Sequence, residues 1–152
     1  MARKMTLQDW LNNKWLKTHK TSPEEIKQLL EIAKRDLKDA NVLSISLEWR
    51  LAMAYNASLS YANIALNASG YRTAGEGHHE RLIESLKYTI NPDPNLITKF
   101  QSFRKKRNIS AYDMAGSVSE YEVDEAIKLA RELFRLVRDW LKRNYSKLAM
   151  DI

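Results

Sequence analysis

Apolar positions along this chain recur at helical rather than strand spacing. Ile26, Leu30, Ala33, Leu37 and Ala40 step by four, three, four and three, which makes one seam on an amphipathic helix. Ser22-Pro23-Glu24-Glu25 marks its start: the serine caps, the proline fits the first turn, and Glu25 is placed to reach back as a capping box. Ser44–Ser46 breaks the seam. A second helix is predicted from about Leu47 to Ser69, with Gly70 as its left-handed cap and Tyr71 beyond it. Leu47, Leu51, Ala54, Ser58, Ala62 and Ala65 line one of its faces, and Ala52, Asn56, Leu59, Asn63 and Leu66 another. With both faces small or apolar, it belongs at the centre of a bundle, where its alanines admit close neighbours.

A third segment, from about Gly77 to Ile90, gathers Leu82, Ile83 and Leu86. Asn91-Pro92-Asp93-Pro94 stops it and starts a fourth helix, Asp93 capping, whose stripe runs Leu96, Phe100, Phe103 and then Arg107. The fifth opens on Ser119, with Glu122 completing a capping box and Val118 set to staple onto Val123. Val123, Ile127, Ala130, Phe134, Val137 and Leu141 form its seam, with Trp140 beside it. Leu7, Trp10, Leu11, Trp15 and Leu16 predict a short amphipathic helix within residues 5–17. The pattern is all-α: an antiparallel up-and-down bundle of four main helices plus short accessory helices. It divides into a basic N-terminal arm (1–22), the bundle (23–145) and a C-terminal tail (146–152).

Composition narrows the chemistry. A chain of 152 residues makes one domain, and with no cysteine it has neither disulfides nor thiolate metal ligands. Only 4 Gly and 3 Pro are present, and no GxGxxG or GxxxxGK[ST] phosphate loop. Leu51–Tyr71 is uncharged, but its asparagines and serines are too polar for lipid, so it is read as a buried helix and not a membrane span. No apolar run follows Arg3 and Lys4, so no export signal is read, and a cytoplasmic protein without membrane contact is expected. His78 and His79 are adjacent, which on a helix turns them about 100° apart and disfavours chelation of one ion. Neither a metal nor a cofactor is expected, and the two histidines are read as helix-start residues.

The net charge of +6 favours polyanions, and its distribution says more than its total. Arg3, Lys4, Lys14, Lys17 and Lys20 crowd the first 22 residues against Asp9, and Arg104-Lys105-Lys106-Arg107 is unbroken. Arg107 continues an apolar stripe, so its guanidinium calls for a carboxylate such as Asp113, for backbone carbonyls, or for an anionic ligand. Trp49, Phe100, Phe103, Phe134 and Trp140 fall on helical seams and are assigned to the core. Trp10 and Trp15, in the basic arm, are the aromatic residues left over for contact with nucleic acid or a partner.

Leu30-Glu31-Ile32-Ala33-Lys34-Arg35-Asp36-Leu37, then Ala54-Tyr55-Asn56-Ala57, Gly70-Tyr71-Arg72 and Arg104-Lys105-Lys106-Arg107-Asn108 together resemble the HEPN superfamily, more narrowly its small prokaryotic members. The likeness covers about residues 23–142. It implies a helical bundle, a homodimer whose cleft binds or cuts RNA, and a toxin–antitoxin, defence or nucleotidyltransferase-paired setting. Active members carry an Arg, four to six residues, then a His, and cleave RNA without metal by attack of a 2′-hydroxyl on the adjacent phosphate. Arg107 matches that Arg and Asn108 the polar residue after it, but Tyr112 stands where the His is expected, and longer spacings land on Asp113 or Met114.

The resemblance therefore implies a non-catalytic or weakly catalytic binding module for RNA, a nucleotide or a protein partner from an adjacent gene. Its groove would hold Arg104, Lys105, Lys106, Arg107, Asn108 and Tyr112. One alternative is a metal-independent endoribonuclease using Arg107 with Tyr112, His78 or His79. Another is a purely structural dimerisation module.

Overall fold

The computed structural model describes residues 3–112, 115–149 and 152, with backbone alone for residues 109–112. In chain order the elements are α1 (Leu7–Asn12), β1 (Leu16–Thr18), α2 (Pro23–Ala40), α3 (Leu47–Ala68), β2 (Tyr71–Thr73), α4 (His78–Ser85), a 3₁₀ turn (Leu86–Tyr88), α5 (Pro94–Tyr112) and α6 (Glu120–Asn144). The architecture is an all-α bundle. No described helix is long and apolar enough to cross a membrane.

α3 is the axis. Ala54, Ala57, Ala62 and Ala65 are fully buried along it, and it packs most heavily against α2 and α6, then α5 and α4. The small side chains allow that approach, and larger rings fill the gaps between helices: Tyr61 meets Phe134 of α6 at 5.5 Å between ring centroids, and Tyr55 meets Phe100 of α5 at 5.8 Å. Arg50 is buried at the start of α3, where its Nε donates to the Ala40 carbonyl (2.8 Å) and satisfies a free group at the end of α2.

The helix starts follow local chemistry. Ser22 and Ser46 accept the backbone N–H groups of Glu25 and Trp49. Ser119 Oγ accepts from Glu122 N–H at 3.1 Å while the Glu122 carboxylate accepts from Ser119 N–H at 3.1 Å, which is the expected capping box. Ser119→Ala removes the hydroxyl half of this pair and leaves the backbone N–H to Glu122, and it is expected to lower stability by about 1 kcal/mol, a fall in melting temperature of about 2–4 °C readable by thermal denaturation. Gly70, at φ +96°, ends α3 in a left-handed cap and turns the chain into β2.

Four expectations need correction. The predicted helix over 5–17 stops at Asn12: Lys14 takes a left-handed φ of 65°, and residues 16–18 pair with β2 in an antiparallel two-stranded ladder, Leu16 opposite Thr73 and Thr18 opposite Tyr71. Trp10 is no free contact residue: it is 5 % exposed, packed edge-on to Trp15 (5.8 Å) and Tyr88 (5.3 Å). Trp49, assigned to the core, is instead 64 % exposed near Val42 and Leu43 in the chain. Glu25 does not close a capping box, because its Oε1 is drawn off by His19 Nε2 (2.7 Å), Thr21 Oγ1 (2.8 Å) and Asn67 Nδ2 (3.2 Å).

Candidate anion-binding site

The cluster begins with Pro94, which starts α5 with Asp93 Oδ1 accepting the Asn95 N–H at 2.9 Å. Counting forward from there sets Phe100 and Phe103 in the core, and one turn further the same face carries Arg107. Arg107 is half-buried, its Cζ 5.8 Å from the centroid of the Tyr55 ring on α3. Arg104, one turn earlier, is held by Gln101, whose Oε1 accepts from its Nε at 2.7 Å.

α4 supplies the opposite wall. Gly77, at φ +69°, caps it without a side chain, and His78 and His79 are its first two residues, as their reading as helix-start groups requires. Their rings do not splay apart: the centroids are 4.3 Å apart and nearly perpendicular. His79 also meets the Tyr55 ring at 6.2 Å. The buried Tyr55 ring is therefore the shared neighbour of an imidazole from α4 and a guanidinium from α5. Gly77, His78, His79, Glu80, Arg104 and Asn108 line a cavity of about 210 Å³ there. The first turn of α4 faces it, with backbone N–H groups that add positive potential.

Burial and the neighbouring cations set the electrostatics around the cavity. Burial, then the fields of His78, Arg107 and Arg104, hold the His79 imidazolium below its ordinary pKa of 6.5, so the ring is neutral at pH 7. Burial pushes the Tyr55 phenol up to about 12 against the pull of Arg107 and Arg104, and its hydroxyl finds no hydrogen-bond partner among the described residues. Glu80 stands at the mouth, its carboxylate 4.0 Å from Arg104.

Of the residues singled out in the sequence, Arg104, Asn108, His78 and His79 share this cavity and Arg107 adjoins it through Tyr55. Lys105 is exposed and does not line the cavity, and Lys106 is turned to Glu122 of α6 at 3.3 Å. Tyr112 ends α5, and its side chain, like Asp113 and Met114, lies outside the described residues. Among the described residues no group of three or more His, Asp or Glu is arranged to hold a metal ion. Tyr55 was missed in the sequence. Its signal was a phenol set among the small residues of the uncharged stretch 51–71, a feature it shares with Tyr61.

Fold and site together define a class: a helical bundle that brings an arginine of α5 and two histidines of α4 to one small cleft, with a second arginine beside it. Residues 26–140 match the family model described as the HEPN domain, and the chain belongs to that family. No curated protein and no solved structure matches it.

Proposed function

We propose that this HEPN protein binds RNA through its backbone phosphate at the His79–Arg104–Arg107 cleft and cleaves it weakly without a metal. The observation that carries this reading is the common seat of His79 and Arg107 on Tyr55, with Arg104 and Asn108 lining the same cavity. The histidine that the chain lacks after Arg107 is supplied from α4 instead.

A neutral His79 accepts the proton of a 2′-hydroxyl as that oxygen forms a bond to the adjacent phosphorus. The guanidinium groups of Arg104 and Arg107 stabilise the added charge on the non-bridging oxygens. The bond from phosphorus to the 5′-oxygen then breaks, and that oxygen takes a proton from solvent. The products are a 2′,3′-cyclic phosphate and a 5′-hydroxyl. The toxin–antitoxin setting, the homodimer and a partner from a neighbouring gene belong to the same proposal through the resemblance, and sedimentation of the purified protein reads the dimer.

The test uses end-labelled single-stranded and hairpin RNA in excess chelator. Cleavage is expected to persist, to end in a cyclic phosphate, and to vanish on a strand carrying a single 2′-deoxy nucleotide at the scissile position. Binding should weaken with salt, by about 0.7 in log K per unit log salt for each phosphate neutralised. Retained, salt-sensitive binding without cleavage reduces the reading to a binding module. Salt-insensitive binding, or none, sinks it.

A further inference from the structure

A second cavity, of about 320 Å³, adjoins the first, with Gly77 and Glu80 forming part of both walls. Its floor is aromatic. Trp15 is half-buried, fixed edge-on by the buried Trp10, and its carbonyl accepts the Ala74 N–H at 3.0 Å, which ties it to the hairpin. The Arg81 guanidinium lies 4.7 Å from the Trp15 ring centroid. Glu80 and Glu84 supply carboxylates along the same cavity.

These groups suit something flat. The carboxylates of Glu80 and Glu84 are balanced by Arg81 and Lys87, which line the same cavity, so no net charge is offered to a phosphate, while an indole with a guanidinium against it forms a preorganised stacking platform. An occupant must then be neutral, planar and rich in N–H donors. Glu84 is already engaged, its Oε1 accepting from Gln101 Nε2 at 3.2 Å and its Oε2 lying 3.8 Å from Lys87. The Glu80 carbonyl accepts from Gln101 Nε2 at 3.0 Å, but among the described residues its exposed carboxylate meets just Arg104, at 4.0 Å, so it is the carboxylate better placed to read an edge. Two parallel acceptor oxygens match the N1–H and N2–H₂ donors of guanine. Adenine offers one amino group beside an acceptor nitrogen, and uracil a single N–H between two carbonyls.

We propose that the Trp15–Glu80 cavity is a base subsite that selects guanine next to the phosphate held by Arg104 and Arg107, with Glu80 as the specificity-determining residue. This rests on the RNA reading given above. It also gives a use to the half-exposed aromatic residue of the basic arm, which packs against the core on one side.

The experiment measures affinity of the full chain for short single strands identical except for one G, A, U or inosine. The G strand is expected to bind about tenfold more tightly than the A strand, with inosine, which lacks the N2 amine, in between. Glu80→Ala should bring G and A within about twofold while tightening the A strand, because a negative charge beside Arg104 is gone. Trp15→Ala should weaken all four strands about tenfold and Trp15→Phe much less, as a stacking role requires. Thermal melts of both Trp15 variants identify any loss of fold, and Glu80→Ala tests the assignment independently of them. Equal affinity for G and A in the unmodified protein, or a preference that survives Glu80→Ala, overturns the subsite while leaving salt-sensitive RNA binding intact. Absence of that binding altogether is the separate failure of the RNA reading.

Discussion

Arg107→Ala is expected to lower RNA cleavage by about 10²–10³-fold, the scale seen when one preorganised donor to a developing oxyanion is removed. The side chain rests against Tyr55 at 5.8 Å and is half-buried, so it is close enough to the cleft for its field to reach His79, yet outside the packed core. The helix around it is anchored by Phe100 and Phe103, which are 0 % and 7 % exposed, so the fold should survive the change. Arg107→Lys separates charge from shape. It keeps the positive field but loses the planar fork that grips two phosphate oxygens, and it should recover RNA binding more fully than turnover. The decisive measurements are kcat/KM on a single-stranded substrate, Kd at two salt concentrations, and a melting curve. Wild-type turnover in Arg107→Ala would remove this residue from the site.

What could be read from the chain divides by range. The starts of α2, α3 and α6 lie in three or four consecutive residues, Ser22-Pro23, Ser46-Leu47 and Ser119 with Glu122, because capping is a contact between near neighbours. The central place of α3 follows from its alanines for the same reason. The β1–β2 ladder was not legible: its strands have three residues each and are separated by the whole of α2 and α3. So short a strand is fixed by its partner and not by its own propensity. Trp49 shows the limit of periodicity, which assigns a face but not whether another element covers it.

The site divides the same way. Arg104, Arg107 and Asn108 sit within five residues of one helix, so one stretch of sequence announces them. Arg104 and Asn108 share a cavity with His79 because α4 packs on α5, which the spacing from Arg107 to the tyrosine at position 112 could not announce. On the proposed reading, motif spacing locates the cation on α5 but cannot locate an imidazole that comes from another helix. Glu25 makes a parallel case: its spacing from Ser22 suits a capping box, but His19 and Asn67, the latter 42 residues away, compete for it and win.

His79→Ala carries the other large effect. Removing the imidazole seated against Tyr55 should cost about 10²–10⁴-fold in kcat, the range for loss of a positioned general base, with RNA affinity changed much less. Added imidazole should restore part of the activity, which a merely structural role would not allow. The pH profile carries the sharper signature. Because burial and then His78, Arg107 and Arg104 hold the His79 pKa below 6.5, kcat/KM in the free protein should stay high as pH falls through 6.5 and decline only at lower pH. Bound phosphate sits beside the ring and favours its protonated form, so the acid limb of kcat should lie at higher pH than that of kcat/KM. Stability follows the same proton: the unfolded chain binds it more readily than the folded one, so folding is favoured above 6.5 and weakens as pH drops below that value. His79→Ala should flatten both the rate limb and this part of the stability profile. A rate profile unchanged by the substitution would assign the proton transfer to another group.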